Sequence, residues 1–121
     1  MEIKAILNQP QIEPLLKELK NKALSIIGED HLLSVIIYGS YASNATHEES
    51  DLDIMILTDL NESLIKQKEE AIWHFSAELL MKYHIFPSVL VLNESTFYER
   101  ASHIPFYKAV LKEGIPFYER P

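Results

Sequence analysis

The sequence predicts an α/β (α+β) domain in which helices cover one small β-sheet. Short apolar runs rich in β-branched residues recur at 33–38, 51–57 and 84–92, and each has the length of a strand. The segments around these runs space their apolar residues three or four apart, which is typical of helices with one buried face. Alternation of the two patterns along 121 residues indicates a single domain, 1–121, with one core.

The first predicted helix spans residues 11–28 and carries one apolar stripe. Pro14 falls in its first turn, where a missing N–H group is harmless, and Gly28 is suited to end it. The first strand follows after a short loop. The small, polar segment 41–50 then predicts a short helix beginning just after Gly39-Ser40, followed by a mobile loop before the second strand.

The second long helix is expected to begin near Asp59 and Glu62, which are spaced as in a capping box, and to run to about residue 83. Pro87 lies inside the third strand, so this strand should begin irregularly or lie at an edge of the sheet. Two short helices, at about 94–101 and 105–114, and an extended tail at 115–118 complete the chain.

Composition and charge limit the classes of partner. A hydrophobic content of 47% and a charged content of 24% are typical of soluble globular proteins. The net charge of −7 argues against a nucleic-acid duplex or an anionic membrane as the main partner, whereas a small anion chelated to Mg²⁺ is compatible with it. The chain has no cysteine, no signal-peptide pattern at its start and no apolar run long enough to cross a membrane. We therefore expect a cytoplasmic protein.

The ends of the first two strands carry the groups of chemical interest. Gly39-Ser40 closes the first strand and, ten residues later, Asp51-x-Asp53 opens the second. A Gly-Ser turn lets the backbone bend sharply and present N–H groups to an anion. Alternation along a strand places both carboxylates on one face, about 7 Å apart at the backbone. Their mutual repulsion is relieved by a cation, so the pair is a candidate divalent-metal site.

Each half of this pattern has an ordinary interpretation when taken alone. Gly39-Ser40 would be a common strand-ending turn, and the two aspartates would be a charged strand end that faces solvent. The combination at a fixed spacing favours a site that holds a metal-bound phosphate chain.

The spacing from Gly39-Ser40 to Asp51-x-Asp53 resembles the signature of the minimal nucleotidyltransferases, within the DNA polymerase β-type nucleotidyltransferase superfamily. The resemblance covers most of the chain and implies a nucleotidyltransferase fold: a mixed sheet with the active site on its exposed edge. It also implies Mg²⁺ as cofactor and transfer of a nucleoside monophosphate from ATP or another nucleoside triphosphate. By the same resemblance, Asp51 and Asp53 are the catalytic, metal-binding residues, and Gly39, Ser40 and Ser50 contact the nucleotide.

Small stand-alone proteins of this type resemble antitoxins that pair with an all-helical HEPN toxin and silence it by adenylylating a tyrosine. The resemblance therefore implies a HEPN-type toxin as protein partner, while self-association stays open. Apolar residues of the tail, such as Phe117 and Tyr118, are candidate docking points, with packing on their own core as the alternative.

Two departures from the family pattern bear on activity. Relatives often carry Ala-Arg-Gly soon after Gly-Ser, whereas here Ser43 and Asn44 follow Ala42. Active relatives also place a third acid at the start of the third strand, a position that corresponds here to Ser88. Glu94 would substitute only if that strand were registered differently.

The sequence thus predicts an Mg²⁺-dependent nucleotidyltransferase that acts on a hydroxyl group, through in-line attack on the α-phosphorus. One alternative is a catalytically weakened nucleotide-binding module, or an antitoxin that acts by contact alone; the missing third acid favours both. A weaker alternative is an antibiotic nucleotidyltransferase, although we expect 121 residues to be too few for an added substrate domain.

Overall fold

The computed structural model describes residues 9–42 and 51–121. Within these ranges the chain forms four helices and four strands, and none of the helices is both long enough and apolar enough to span a membrane. In chain order the elements are α1 (Ile12–Ile27), β1 (Leu32–Tyr38), β2 (Leu52–Thr58), α2 (Glu62–Tyr83), β3 (Pro87–Asn93), α3 (Glu94–Ala101), α4 (Pro105–Glu113) and β4 (Ile115–Glu119).

The strands form one mixed sheet in the order β3-β2-β1-β4. β1 pairs antiparallel with both β2 and β4, and β2 pairs parallel with β3. A parallel pair needs a long crossover, which α2 supplies between β2 and β3. The α/β fold with a small mixed sheet flanked by helices is therefore confirmed. Residues 115–119, which were expected to form only an extended tail, are an edge strand of this sheet.

One face of the sheet packs against α1 and α2 and carries the larger core. The strands contribute Val35, Ile37, Leu52, Ile54, Ile56, Val89, Val91 and Ile115. The helices contribute Ile12, Leu15, Leu16, Leu19, Ile65, Ile72 and Leu79. Because side chains alternate along each strand, the strand residues between these core positions point to the opposite face of the sheet.

The opposite face has a smaller cover, formed by the short helices α3 and α4. Met55 and Leu57 of β2 pack there with Phe97 of α3 and Val110 of α4. This cover is incomplete, because Leu90, which pairs with Met55 on the same face, is 41% exposed. The polar groups at the ends of β1 and β2 open onto this partly covered face.

Two side chains of α2 form hydrogen bonds with backbone groups at the free edge of β3. The indole Nε1 of Trp73 donates to the carbonyl oxygen of Val89 at 3.0 Å, and the carboxylate of Glu69 accepts a hydrogen bond from the backbone of Val91. Such contacts occupy backbone groups that would otherwise pair with a strand of another chain. Trp73 therefore flanks the sheet at the edge of β3.

The start of α2 differs from the prediction. Asn61 is its N-cap and accepts a hydrogen bond from the backbone of Leu64, so the capping box at Asp59 is wrong. Asp59 contacts the ring of His31 instead, with 2.7 Å between Oδ1 and Nδ1. The local spacing matched a capping box, but the carboxylate of Asp59 contacts His31, which is 28 residues away in sequence.

The third strand begins three residues later than expected. His84 ends α2 in the left-handed conformation, with φ of 60°, so the chain enters the strand only at Pro87. Pro87 is the first residue of an edge strand, where a missing N–H group is tolerated, and this confirms the expectation drawn from that proline.

Candidate active site

Gly39 lies directly against the carboxylate of Asp53. Tyr38, the last residue of β1, pairs with Asp53 in the antiparallel ladder, and Gly39 follows with a φ of 73°. A Cβ atom at this position would overlap Asp53 Oδ2 and lie 3.1 Å from Cγ of the same side chain. Glycine is therefore required both by the backbone conformation and by the neighbouring carboxylate. The sequence had explained this glycine by the approach of a phosphate; the structure adds a contact within the chain.

The two aspartates have different environments. Asp53 lies within β2 and is partly buried, whereas Asp51 precedes the strand and is exposed. Burial and, secondly, the charge of Asp51 raise the pKa of Asp53. Two carboxylates in this relation destabilise each other's charge, and a cation bound beside them would reverse that effect.

Ser88 lies beside Asp53 in the adjacent strand. Asp53 pairs with Ser88 in the parallel ladder and with Tyr38 in the antiparallel one, so the three side chains form a row across one face of the sheet. Ser88 thus occupies the strand position next to Asp53, the position that the family resemblance implies for the third acid of active relatives.

Glu94, the alternative third acid, is remote from this row. It begins α3, beyond the end of β3 that is farther from Asp53. Glu94 is six positions after Ser88 along an extended strand, which corresponds to roughly 20 Å. The strand register therefore excludes Glu94 from the site.

Tyr38 is the half-buried member of the row. Burial, the charge of Asp53 and the nearby Tyr107 together raise the pKa of Tyr38 to about 12. Its ring meets that of Phe106 edge to face, with centroids 5.6 Å apart. The phenol therefore stays protonated at neutral pH and serves as a neutral wall of the site rather than as a nucleophile.

A cavity of about 240 Å³ opens between this row and α4. The sheet side is formed by Tyr38, Gly39 and Asp53. The helix side is formed by Phe106, Ala109, Val110 and Glu113, which recur at helical spacing along one face of α4.

The helix side of this cavity was missed by sequence reasoning. The basic residues of α4 are Lys108 and Lys112. α4 does return to that face of the sheet, but the two lysines are exposed and do not line the cavity. The apolar periodicity of 106–113 was visible in the sequence, although nothing local indicated which surface it would face.

The donor set fits one hard divalent cation. Asp51 and Asp53 supply carboxylate oxygens, which Mg²⁺ prefers, and phosphate oxygens with water would complete its octahedron. Within residues 9–42 and 51–121 no group of three or more acidic or histidine side chains is arranged to hold a metal. The described residues therefore provide a two-carboxylate site.

Of the predicted nucleotide contacts Ser40 and Ser50, the structure describes Ser40. Ser40 follows Gly39 in the turn after β1 and is partly buried. The segment 41–50 was predicted to form a short helix just after Ser40 and then a loop; residues 41–42 form a turn, and residues 43–50, including Ser50, lie outside the described residues. The structure thus brings together Gly39, Asp53 and, through its charge on Asp53, Asp51.

The chain is similar to known nucleotidyltransferases in sequence. A family model described as polymerase beta, nucleotidyltransferase, matches residues 21–121. Two proteins of Methanocaldococcus jannaschii, both named as candidate protein adenylyltransferases, are also similar. MJ0604 is 30% identical over 106 residues, covering 88% of this chain and 97% of that protein. MJ0141 is 35% identical over 85 residues, covering 70% of this chain and 83% of that protein.

A solved structure has a similar fold. The crystal structure of a candidate nucleotidyltransferase from Sulfolobus solfataricus superposes with a TM-score of 0.53 at 21% sequence identity. The match covers 91% of this chain and 84% of that protein. At this identity the likeness concerns the fold.

Proposed function

The chain belongs to the polymerase β nucleotidyltransferase family, and from this membership we propose that it transfers AMP from ATP, with Mg²⁺, to a hydroxyl group of a partner protein. The nucleotidyltransferase class of enzyme follows from the family itself, whose members use a nucleoside triphosphate and a divalent metal. The observation that carries the proposal is the contact of Gly39 with the Asp53 carboxylate, two residues from Asp51. It joins the phosphate-binding turn to the metal-binding strand.

The residues of the chain have distinct tasks in this reaction. Asp51 and Asp53 would hold the metal, and backbone N–H groups at Gly39 and Ser40 would face the phosphates. When bound, Mg²⁺ supplies the positive charge that offsets the triphosphate and the departing pyrophosphate. The acceptor oxygen forms a bond to the α-phosphorus while the bond from that phosphorus to the bridging oxygen of the β-phosphate breaks. Pyrophosphate leaves, and the hydroxyl proton passes to solvent.

Two observations favour a protein acceptor. Both archaeal relatives are named as candidate protein adenylyltransferases. The cavity that the described residues form has about 240 Å³, less than the roughly 300–1,000 Å³ of typical small-molecule sites, so these residues do not enclose both a nucleotide and a second small substrate. A docked protein would present its own hydroxyl and provide the positioning that this site lacks.

We propose that the acceptor is a tyrosine of a helical, HEPN-type toxin, and that the chain acts as its antitoxin. The net charge of −7 favours a protein partner over a polynucleotide. No described lysine or arginine lines the cavity, so a cationic group from the partner would stabilise charge at the α-phosphate.

A second function, neutralisation of the partner by contact alone, is favoured by Ser88. A hydroxyl beside Asp53 replaces a carboxylate that would bind a second metal ion and orient the nucleophile. The same feature predicts slow transfer if the chain is active.

Co-expression with the product of the adjacent gene, followed by intact-mass measurement, tests the proposal. We expect the partner to gain one AMP, and expect no gain with the Asp53→Asn variant. With purified proteins, label from α-labelled ATP should enter the partner, whereas label from γ-labelled ATP should not. A stable complex without added AMP, unchanged by Asp53→Asn, would replace transfer by the contact-only function.

A further inference from the structure

A second depression lies on the same face of the sheet as the candidate active site. Ser34, Ile36 and Tyr38 alternate along β1 and therefore point to this face. Tyr38 lines the active-site cavity, whereas Ser34 and Ile36 line a separate cavity of about 230 Å³, to which α3, α4 and β4 also contribute. Val110 lines both cavities, so the two are direct neighbours.

The wall of this second cavity is largely apolar. Leu57, Phe97 and Val110 are buried members of the wall, whereas Tyr98 and Leu111 are each 52% exposed. Large apolar side chains that are half exposed beside a cavity gain free energy when a partner covers them, so they favour docking. The volume is below that of typical small-molecule sites and suits one large apolar side chain of a partner.

A polar cavity of about 370 Å³ adjoins the apolar one. Ser34, Tyr98 and Glu119 line both cavities, so the two form one continuous depression. Ser34 and Glu119 also pair in the β1–β4 ladder, which places this junction on β1 and the edge strand β4. We call the two cavities together the α3–α4 groove.

The polar part of the groove is negatively charged. It is lined by Glu94, Glu119 and Arg120. Nη2 of Arg120 lies 3.6 Å from Oδ1 of Asp30, which offsets the charge of the arginine. Neither glutamate forms an ion pair with another described residue. Carboxylates in this state attract a lysine or arginine of a partner, whereas the net charge of −7 disfavours a second copy of the chain.

We propose that the α3–α4 groove docks the acceptor protein, through a segment in which a large apolar side chain stands next to a lysine or arginine. This inference rests on the proposed function, because it names the surface that holds the acceptor of the same reaction. Tyr38 is four positions after Ser34 in β1, roughly 13 Å along the strand, so a partner bound in the groove can also reach the active-site cavity. Leu111 and Glu119 then determine how tightly the acceptor is bound, while the chemistry stays with the aspartates.

The test measures AMP transfer to the product of the adjacent gene as a function of that protein's concentration, with Mg²⁺ and ATP. Leu111→Ala should raise the half-saturating concentration at least about fivefold, because it removes a half-exposed apolar contact. Glu119→Gln should raise it at low ionic strength, and its difference from the parent should shrink in high salt, because salt screens an ion pair. In both variants the rate at saturating acceptor and the affinity for Mg²⁺–ATP should equal those of the parent.

Matched controls separate these effects from general damage. Leu80→Ala truncates an exposed leucine of α2, and Glu70→Gln neutralises an exposed glutamate of the same helix. Because α2 packs against the other face of the sheet, both should leave the half-saturating concentration unchanged. Leu111→Met keeps a large apolar side chain and should restore most of the affinity that Leu111→Ala loses.

The outcomes distinguish this inference from the function on which it rests. Transfer with unchanged half-saturating concentrations in Leu111→Ala and Glu119→Gln overturns the inference and leaves the function standing. Sedimentation of the chain alone tests the other occupant: a dimer that Leu111→Ala dissociates, with unchanged transfer, assigns the groove to a second copy and also overturns the inference alone. A complex that forms without AMP transfer, and that both variants weaken, overturns only the proposed reaction. A partner that neither binds nor receives AMP overturns both.

Discussion

The carboxylate of Asp53 occupies the space into which a side chain at Gly39 would project. The pairing of Tyr38 with Asp53 brings the two residues together, and the φ of 73° at Gly39 carries the chain over the carboxylate. The turn after β1 and the start of β2 are therefore coupled, because a side chain added at Gly39 must displace the carboxylate of Asp53.

Gly39→Ala should weaken the binding of nucleotide by the folded protein, in addition to lowering its stability. The new methyl group must move the Asp53 carboxylate, and the positive φ adds backbone strain of roughly 1–2 kcal/mol. We expect a lower melting temperature and a loss of Mg²⁺–ATP affinity of at least about tenfold, measured by thermal unfolding and calorimetry.

Gly28→Ala is the matched control for this change. Gly28 also has a positive φ, of 106°, but it ends α1, and a Cβ there would meet only the ring of His31, at 3.4 Å. This variant should lose stability while keeping its affinity for nucleotide. If Gly39→Ala binds nucleotide as tightly as the parent protein, the turn at Gly39 does not belong to the nucleotide site.

Asp53→Asn should stabilise the metal-free protein at neutral pH, by less than about 1 kcal/mol because the carboxylate is only partly buried. The folded state raises the pKa of Asp53, so ionisation above that pKa costs folding free energy. Below the ordinary aspartate value of 3.8 the group is protonated in both states, and the difference from the variant should vanish. Thermal unfolding between pH 3 and pH 7 measures this trend.

Magnesium should reverse that order of stability. A cation bound by Asp51 and Asp53 removes their repulsion and stabilises the folded state by mass action. Added Mg²⁺ and ATP should therefore raise the melting temperature of the parent protein and leave Asp51→Asn and Asp53→Asn nearly unchanged. Equal shifts in all three proteins would show that the ion binds elsewhere.

Ser88→Asp should strengthen metal binding and increase the rate of any AMP transfer. The new carboxylate would stand beside Asp53 in the adjacent strand and complete a set of three acids. Without metal the variant should be less stable than the parent, because a third negative charge joins the pair. Mg²⁺ titrations and single-turnover transfer assays measure these effects.

Glu94→Gln serves as the control for the third acid, since Glu94 lies beyond the opposite end of β3. It should change neither metal affinity nor rate. A loss of activity in this variant would contradict the strand register.

Trp73→Phe should destabilise the protein by about 1 kcal/mol without affecting nucleotide binding. The variant keeps an aromatic ring on α2 but leaves the Val89 carbonyl without its indole donor at the edge of β3. Urea unfolding followed by circular dichroism measures the change. An unaltered unfolding midpoint would mean that water replaces the indole at no cost.

Local patterns in the sequence predicted the secondary structure and the chemical candidates. Helical spacing identified α1 and α2, β-branched runs identified β1 and β2, and the position of Pro87 identified β3 as irregular or at an edge. These features depend on residues a few positions apart, so they can be recognised from the sequence alone. The spacing of Asp51 and Asp53 likewise indicated paired carboxylates without any knowledge of the fold.

Only the tertiary structure decided what surrounds those carboxylates. The parallel pairing of β2 with β3 sets Ser88 beside Asp53 and carries Glu94 away, and no local pattern specifies that register. The return of α4 builds the wall that contains Phe106 and Glu113. Asp59 matched a helix cap in sequence but contacts His31 in the folded chain. In each case the partner is distant in sequence, so the contact depends on how the whole core packs, and that packing cannot be inferred from neighbouring residues.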